Sequence, residues 1–271
     1  MREYTFCVPA ALAIAALLVF VLGTVAGADT VTIRDTTSAG TGTNALDAFL
    51  RTDGTNIHLN IGQGSGSGNP EENRIQSSAN TGGLRTGIYW FDVSSIPSIA
   101  TITSATVSMW MDANGAPVPA TMYLSRISAG PWVEGTKWYL TENGSPDGYD
   151  RIHQTLPNVA TPWSAPGAVG AGDIDLTNTY WVTADAYSEQ KFDVTNFVQS
   201  WVNGSHANYG FVQHANGQTW LGSYRPRSCE NSTITVRPML VVDYIVPEPS
   251  SLLAFATGLI GLAGMAIRRR R

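Results

Sequence analysis

The sequence predicts an all-β fold, a β-sandwich or barrel with one short helix, between an N-terminal export segment and a C-terminal apolar segment. Short runs of β-branched and aromatic residues are separated by loops rich in Gly, Pro and Asn. Only 14% of the 271 residues are charged, whereas 27 are Gly and 14 are Pro, which excludes a helical bundle or coiled coil. The 8 Trp, 10 Tyr and 8 Phe residues exclude a disordered chain.

Residues 1–28 have the pattern of a secretory signal peptide. The apolar stretch 8–25 ends in Ala26-Gly27-Ala28, a small-x-small site for signal peptidase, and Asp29 opens a polar sequence. We therefore expect cleavage after Ala28. An uncleaved membrane anchor is the alternative, because the apolar run is long for a signal peptide.

Alternation of apolar and polar residues, or aromatic runs bounded by turn residues, predicts strands in the body of the chain. These segments are 57–61, 87–93, 105–111, 121–127, 209–213 and 239–245. Two stretches, 62–83 and 130–172, are rich in Gly and Asn and are predicted to be loops, where binding residues usually lie. No shift in composition divides residues 29–245, so they are predicted to form one domain.

One helix is predicted at 195–203. Its start can be capped by Asp193 or Thr195, and Gly204 follows its end. We expect this helix to cover an open end of the sandwich with Trp201 pointing inward. The apolar residues at helical spacing are Val194, Phe197, Val198, Trp201 and Val202.

Charge and cysteine content argue against a nucleic-acid partner and against an internal disulfide. Residues 29–245 carry 11 basic and 19 acidic side chains, a net charge of −8, which would repel a phosphate backbone, so no nucleic-acid partner is predicted. Cys7 lies in the leader and Cys229 is the second of the 2 cysteines, so the cleaved chain has no internal disulfide. Cys229 is interpreted as a loop thiol rather than a nucleophile.

Residues 246–271 combine three features that predict a sorting tail. Proline-bounded Pro247-Glu248-Pro249 is followed by an apolar run, 252–267, and then by the cluster Arg268, Arg269, Arg270 and Arg271. The run is just long enough to span a bilayer, with the arginines on the cytoplasmic side. Together these features resemble the PEP-CTERM sorting signal. A plain membrane anchor is the alternative.

The PEP-CTERM resemblance implies the protein's route and its processing partner. After export, the chain would be transiently anchored in the inner membrane of a Gram-negative bacterium and cut by an exosortase. It would then be secreted or reach the cell surface or extracellular matrix, where such bacteria make polysaccharide. The implied partners are therefore the export machinery, exosortase and, by location, extracellular polysaccharide.

Eight short segments of the body follow one another in a characteristic order: 86–93, 96–97, 102–107, 132–136, 162–163, 192–201, 208–211 and 237–242. This order resembles the DNRLRE domain, which is similar to carbohydrate-binding module family 96. The resemblance implies a jelly-roll β-sandwich of the kind found in secreted bacterial proteins and beside polysaccharide-degrading domains.

Aromatic residues in or near loops are the candidate glycan-binding residues. A sugar offers apolar C–H faces and hydroxyl groups, so its site needs flat aromatic rings and polar partners. Packing in the core is the alternative for each tryptophan, and Trp90, Trp110 and Trp201 are assigned to the core. The candidates are Trp138, Tyr139, Trp181, Trp220, Tyr224 and Arg225.

No catalytic residues and no cofactor are predicted. The chain lacks a His-Glu-x-x-His motif and a nucleophile elbow, and no pair among its many acids stands out as a glycosidase pair. A structural Ca²⁺ site involving Asp173 and Asp175 is kept as an alternative. The expected function is that of a non-catalytic surface or matrix protein that interacts with polysaccharide. A structural adhesin without specific glycan binding and a polysaccharide-degrading enzyme remain the alternatives.

Overall fold

The computed structural model describes residues 27–37, 43–52, 72–77, 79, 83–114, 120–134, 150–152, 161–175, 180–184, 187–219 and 221–247. Residues Thr30–Tyr244 form one compact unit. The predicted signal peptide up to Ala26 and the predicted sorting segment from Glu248 onward lie outside the described residues. None of the helices in the described ranges has the length and hydropathy that a membrane span requires.

The described residues form twelve strands and one α-helix, together with a 3-10 turn at Ile234–Val236. The elements in chain order are β1 Gly27–Ile33, β2 Ala45–Arg51, β3 Arg85–Phe91, β4 Thr101–Asn114, β5 Ala120–Arg126, β6 Asp150–Ile152, β7 Thr161–Pro162, β8 Tyr180–Ala184, β9 Tyr187–Asp193, α1 Thr195–Val202, β10 Phe211–His214, β11 Ser223–Pro226 and β12 Met239–Val246.

The strands form two five-stranded antiparallel sheets, which agrees with the all-β prediction. In the first sheet the order is β1-β12-β4-β11, and β9 also pairs with β4; in the second the order is β2-β3-β10-β5-β8. The amide of Gln213 on β10 lies 3.5 Å from the sulfur of Met111 on β4, so inward-facing side chains of the two sheets meet in the core. β6 and β7 form a separate two-stranded ribbon.

The second sheet is buried on both faces. Ala48 and Leu50 of β2 and Ile88 of β3 alternate with the inward-facing residues of the same strands, and they form their own apolar cluster with Val212. Part of the predicted loop 130–172 covers this outer face, where Trp132 and Trp163 are buried. A stretch interpreted as a loop thus forms a second small core.

Segment 72–77 joins the two sheets along one edge. Ile75 exchanges backbone hydrogen bonds with Tyr224 of β11 in the first sheet, at 2.8 and 3.0 Å. The next residue, Gln76, exchanges backbone hydrogen bonds with Arg85 of β3 in the second sheet, at 3.1 and 3.2 Å. This connection holds Asn73 inside the protein, where it is fully buried.

Helix α1 confirms the predicted helix, with its end one residue earlier. Its N-cap is Val194, and Asp193 Oδ1 accepts hydrogen bonds from the backbone N–H and the hydroxyl of Thr195 at 3.0 and 2.7 Å. Gly204 follows the helix with a φ of 74° and donates its N–H to the carbonyl of Trp201. Trp201 is buried against Phe211 of β10, with ring centroids 4.9 Å apart.

Candidate functional site

An aromatic cavity of about 240 Å³ lies on the outer face of the second sheet. Leu46 of β2 and Trp90 of β3 are register partners with the same orientation as Ala48 and Ile88, and they form its floor. Tyr209, just before β10, contributes a further ring. The complete lining is Leu46, Trp90, Pro131, Trp132, Asn208 and Tyr209.

The polar groups of the aromatic cavity are used to fix its shape. The indole N–H of Trp90 donates to the carbonyl of Asn208 at 3.2 Å, and that of Trp132 donates to the carbonyl of Tyr209 at 2.9 Å. The Asn208 amide donates to the carbonyl of Phe91 at 2.8 Å. Because these groups are satisfied within the protein, the cavity offers ring faces rather than free hydrogen-bond donors. Trp90 and Tyr209 are half-buried, so part of each side chain is open to solvent.

Two of the sequence-based assignments of aromatic residues need correction. Tyr224, a predicted glycan-binding residue, has no exposed surface because it lies on β11 against segment 72–77, so its ring is closed to a ligand. Trp90 and Trp110 were assigned to the core but are half-buried. Trp110 lies with its ring centroid 6.0 Å from that of Tyr187, a residue with 58% exposure.

The remaining predicted glycan-binding residues are not brought together by the described structure. Trp138, Tyr139 and Trp220 lie outside the described residues. The backbone of Trp181 pairs with Tyr123 between β8 and β5. Arg225 lies on β11 and forms an ion pair with Glu72, with a nitrogen–oxygen distance of 3.6 Å.

Arg225 belongs to a group of arginines around Glu72. Glu72 also forms a short ion pair with Arg227. Burial, followed by the charges of Arg225 and Arg51, lowers the pKa of Arg74 from its usual value. Positive charge exceeds negative charge in this group, which suits an anionic rather than a cationic ligand.

A carboxylate cluster lies beside β2 and is defined by Asp47, Glu134 and Glu230. Each residue offers a carboxylate oxygen, and these oxygens all lie within 4.8 Å of one another. The backbone N–H of Asp47 donates to Glu134 Oε1 at 3.0 Å, and the N–H of Cys229 donates to Asp47 Oδ1 at 3.2 Å. Asp47 is fully buried, whereas Glu134 and Glu230 are partly exposed.

The pKa values of the carboxylate cluster are all raised. Burial is the main cause, and the charge of Asp47 adds to it in both glutamates, so that the pKa of Glu134 rises to about 9 and that of Glu230 to about 11. Burial raises the pKa of Asp47 to about 6, against the opposing effect of hydrogen bonds from Cys229 and Asn73. Desolvation and the repulsion between neighbouring carboxylates thus both favour the protonated form of these acids.

Cys229 is a buried thiol in the turn that also carries Glu230. Burial, with the charge of Asp47 next in importance, raises its pKa well above the usual value. A thiol with a raised pKa stays protonated at neutral pH and is a poor nucleophile. Its position in a loop agrees with the sequence-based interpretation, although its burial was not anticipated.

The acids considered for a Ca²⁺ site from sequence have protein partners instead. Asp173 accepts backbone N–H groups from Ser164, Ala165 and Gly170 at 2.6, 3.0 and 3.0 Å. Asp175 forms a short ion pair with the buried Arg126. The structure therefore gives these two carboxylates separate local roles, and among the described residues the group with metal-ligand geometry is the carboxylate cluster.

Comparison with known proteins identifies the C-terminal segment. No curated protein matches the chain. Residues 246–271 match the family model of the PEP-CTERM protein-sorting motif, and the two described residues of this range are Val246, which ends β12, and the exposed Pro247. The chain therefore carries the PEP-CTERM sorting motif, the mark of an exported cell-surface protein of Gram-negative bacteria that an exosortase processes.

Proposed function

We propose that the body of this exported protein is a non-catalytic surface or matrix component that interacts with extracellular polysaccharide. The aromatic cavity is the observation that carries the proposal. The order of segments that resembles the DNRLRE domain, and through it carbohydrate-binding module family 96, also supports the proposal. Because that domain is a jelly roll, we extend the proposal to a jelly-roll topology for the two sheets.

The aromatic cavity matches the apolar face of a sugar in size and surface. Flat rings stack on the apolar C–H face of a sugar, and such ring contacts contribute about 0.5–1.5 kcal/mol beyond the area that they bury. Sites for drug-sized ligands measure about 300–1,000 Å³. A cavity of about 240 Å³ therefore suits one sugar unit of a longer chain rather than a whole oligosaccharide.

The enzyme alternative rests on the carboxylate cluster, because raised carboxyl pKa values also occur in glycosidases. Two features favour a non-catalytic role. Asp47 is fully buried, and neither the aromatic cavity nor the second described cavity, which lies at Asp243 of β12, is lined by a member of the cluster. A substrate bound in either of these two cavities would therefore not contact the acids of the carboxylate cluster.

The test is a glycan array probed with the exported protein, with a reducing-end assay on every glycan that binds. Trp90→Ala should weaken binding about tenfold, which corresponds to about 1.4 kcal/mol. Trp110→Ala is the matched control, because Trp110 is also half-buried but lies on β4 in the first sheet. Both variants should keep the parent's far-UV spectrum, which reports the backbone fold.

Three results would contradict the proposal in different ways. Equal glycan affinity of parent and Trp90→Ala would remove the aromatic cavity from the binding site. Absence of any bound glycan would favour the structural adhesin. New reducing ends that disappear in Glu230→Gln would establish the enzyme.

A further inference from the structure

The carboxylate cluster brings together acids from three distant parts of the chain. Asp47 lies on β2, Glu134 lies in the loop after β5, and Glu230 lies in the turn after β11. In the described part of the chain, none of the three forms an ion pair with Lys or Arg. Buried carboxylates normally have such a partner or bind a metal ion.

Asn73 provides an independent observation at the same place. Its side chain is fully buried, and its amide nitrogen donates to the carboxylate of Asp47 and to the hydroxyl of Tyr89, the latter at 3.3 Å. The amide is therefore held against the carboxylate cluster, yet its oxygen Oδ1 has no hydrogen-bond partner. A buried acceptor without a donor is unfavourable, and an amide oxygen is a common ligand of hard cations.

One carboxylate oxygen of Glu230 also lacks a donor, although hydrogen bonds from its own backbone and from Ser228 reach this carboxylate. Its oxygen Oε2 is buried and has no hydrogen-bond partner. The carboxylate cluster and its neighbouring amide thus contain two buried oxygens whose lone pairs are unused. Both are oxygen ligands of the kind that a hard cation prefers.

We propose that Asp47, Glu134 and Glu230, with the amide oxygen of Asn73, bind a divalent cation that prefers oxygen ligands, and that Ca²⁺ fits best. Ca²⁺ binds oxygens at roughly 2.4 Å, so ligands on opposite sides of the ion are roughly 4.8 Å apart. Carboxylate oxygens that all lie within 4.8 Å of one another can therefore surround one ion.

The neighbouring groups favour a hard ion over a soft one. Zn²⁺ sites commonly use thiolate or imidazole ligands. Cys229 is the nearby sulfur, but the ligand atoms that lie within 4.8 Å of one another are carboxylate oxygens and do not include its thiol. Ca²⁺ also tolerates irregular coordination and water ligands, which the partly exposed Glu134 and Glu230 would admit from solvent.

A bound cation would connect three segments that are otherwise joined by few contacts of opposite charge. It would tie β2 to the loop after β5 and to the turn before β12, and it would neutralise charges that repel one another. The ion would therefore bind the folded chain and not the unfolded one, so it should raise the melting temperature by mass action.

The experiment uses the exported protein after treatment with a chelator, titrated with CaCl₂ by calorimetry and followed by thermal melts. We expect one bound Ca²⁺ with a Kd of about 10⁻⁵–10⁻³ M, as in extracellular modules and the weaker sensors. At a Ca²⁺ concentration of about 100 Kd, the melting temperature should rise by roughly 5–10 °C. No heat of binding and equal melting temperatures in chelator and CaCl₂ would overturn the proposal.

Variants separate ion binding from general destabilisation. Glu230→Gln keeps the shape of the side chain and should melt near the parent in chelator, yet lose at least about tenfold in Ca²⁺ affinity together with most of the thermal shift. Asp243→Asn is the control, because Asp243 is a carboxylate bonded to the hydroxyls of Thr30 and Ser104, away from the cluster. Asp243→Asn should keep the parent's Ca²⁺ affinity and the parent's rise in melting temperature with Ca²⁺. A full shift in Glu230→Gln would contradict the assigned ligands.

Discussion

Gly210 lies so close to the carbonyl group of Tyr89 that a Cβ atom there would overlap the carbonyl oxygen and lie 3.0 Å from the carbonyl carbon. The contact precedes the pairing of Phe211 with Tyr89, where β10 begins to follow β3. Gly210 also has a φ of 80°, in the left-handed region. A residue without a side chain is thus required where the chain enters the middle of the second sheet.

Gly210→Ala should lower the free energy of unfolding by more than about 2 kcal/mol, because it adds backbone overlap to left-handed strain. Gly204→Ala is the matched control: its φ is 74°, but nothing lies within 4 Å of its added Cβ. The control should cost only about 1–2 kcal/mol. Urea unfolding of both variants measures the difference, and equal losses would show that the chain relaxes around Tyr89.

Trp201→Ala should destabilise the domain by about 3–5 kcal/mol, because it removes a buried ring from contact with Phe211. Trp201→Phe should cost less than about 1.5 kcal/mol, since the indole nitrogen has no hydrogen-bond partner and the ring contact is kept. Thermal melts compare the two. We also expect Trp138→Ala and Trp220→Ala to leave melting nearly unchanged if these residues are ligand platforms. Parent-like melting of Trp201→Ala with loss of glycan binding would place Trp201 in a ligand site.

His214 should make stability depend on pH between about 6.5 and 4. Burial lowers its pKa to about 4, and the neutral ring accepts the N–H of Asn216 at 3.3 Å and lies 3.2 Å from Ser125 Oγ. Between these pH values His214 is protonated in the unfolded chain but neutral in the folded chain. The neutral His214 ring therefore contributes about 3 kcal/mol to the free energy of unfolding above pH 6.5, and this contribution is lost as the pH falls to 4.

The measurement is the difference in unfolding free energy between the parent and His214→Gln at several pH values. Taking the difference cancels the opposite effect of Glu134 and Glu230, whose raised pKa values favour folding as pH falls. A difference that does not change between pH 6.5 and 4 would mean that His214 titrates equally in both states.

Asp173→Asn should loosen the segment that covers the outer face of the second sheet. The carboxylate accepts three backbone N–H groups, and hydrogen bonds to a charged group contribute about 1.5–3 kcal/mol each. Hydrogen exchange should rise in residues 161–175 before it rises elsewhere. Asp92→Asn is the control, because Asp92 accepts the N–H of the exposed Ser94 instead. Uniform exchange across the domain would argue against a local role.

Processing should remove both ends of the chain. Intact-mass analysis of protein from the envelope or medium should find residues 1–28 absent, with cleavage two residues into β1, and the segment after Pro247 to Pro249 absent as well. Replacing Arg268 to Arg271 with Ser should leave the tail uncut, because it removes the cytoplasmic charge of the motif. Retention of residues 252–271 in all surface-exposed parent protein would contradict exosortase processing.

Regular alternation made several elements predictable. The strands predicted at 87–93, 105–111, 121–127, 209–213 and 239–245 correspond to β3, β4, β5, β10 and β12, with ends that differ by a few residues. The predicted strand 57–61 lies outside the described residues. β2 was not predicted, because Ala48 and Leu50 are buried on one face while Asp47 occupies the other, which hides the period of two.

The sequence alone did not predict strands with a polar face or contacts between side chains that are distant along the chain. β9 carries Glu189 and Lys191 on its solvent face and was not among the predicted strands. The carboxylate cluster joins positions 47, 134 and 230, and no local spacing connects residues that only the fold brings together. The aromatic cavity was not predicted for a related reason: Trp90 lies on a strand, whereas the predicted ring platforms are residues in or near loops.

The last described strand along the chain, β12, is an interior strand of the first sheet, since it lies between β1 and β4. Because the sorting tail continues directly from β12, any tension on a membrane-held or matrix-attached C-terminus is first carried by a strand with hydrogen-bonded neighbours on both sides. Thr30 on β1 reinforces this arrangement with a hydrogen bond of 2.6 Å to Asp243. Pulling β12 out of the sheet requires its backbone hydrogen bonds to both β1 and β4 to break together. The strand from which the sorting tail continues is therefore mechanically one of the stronger places in the domain.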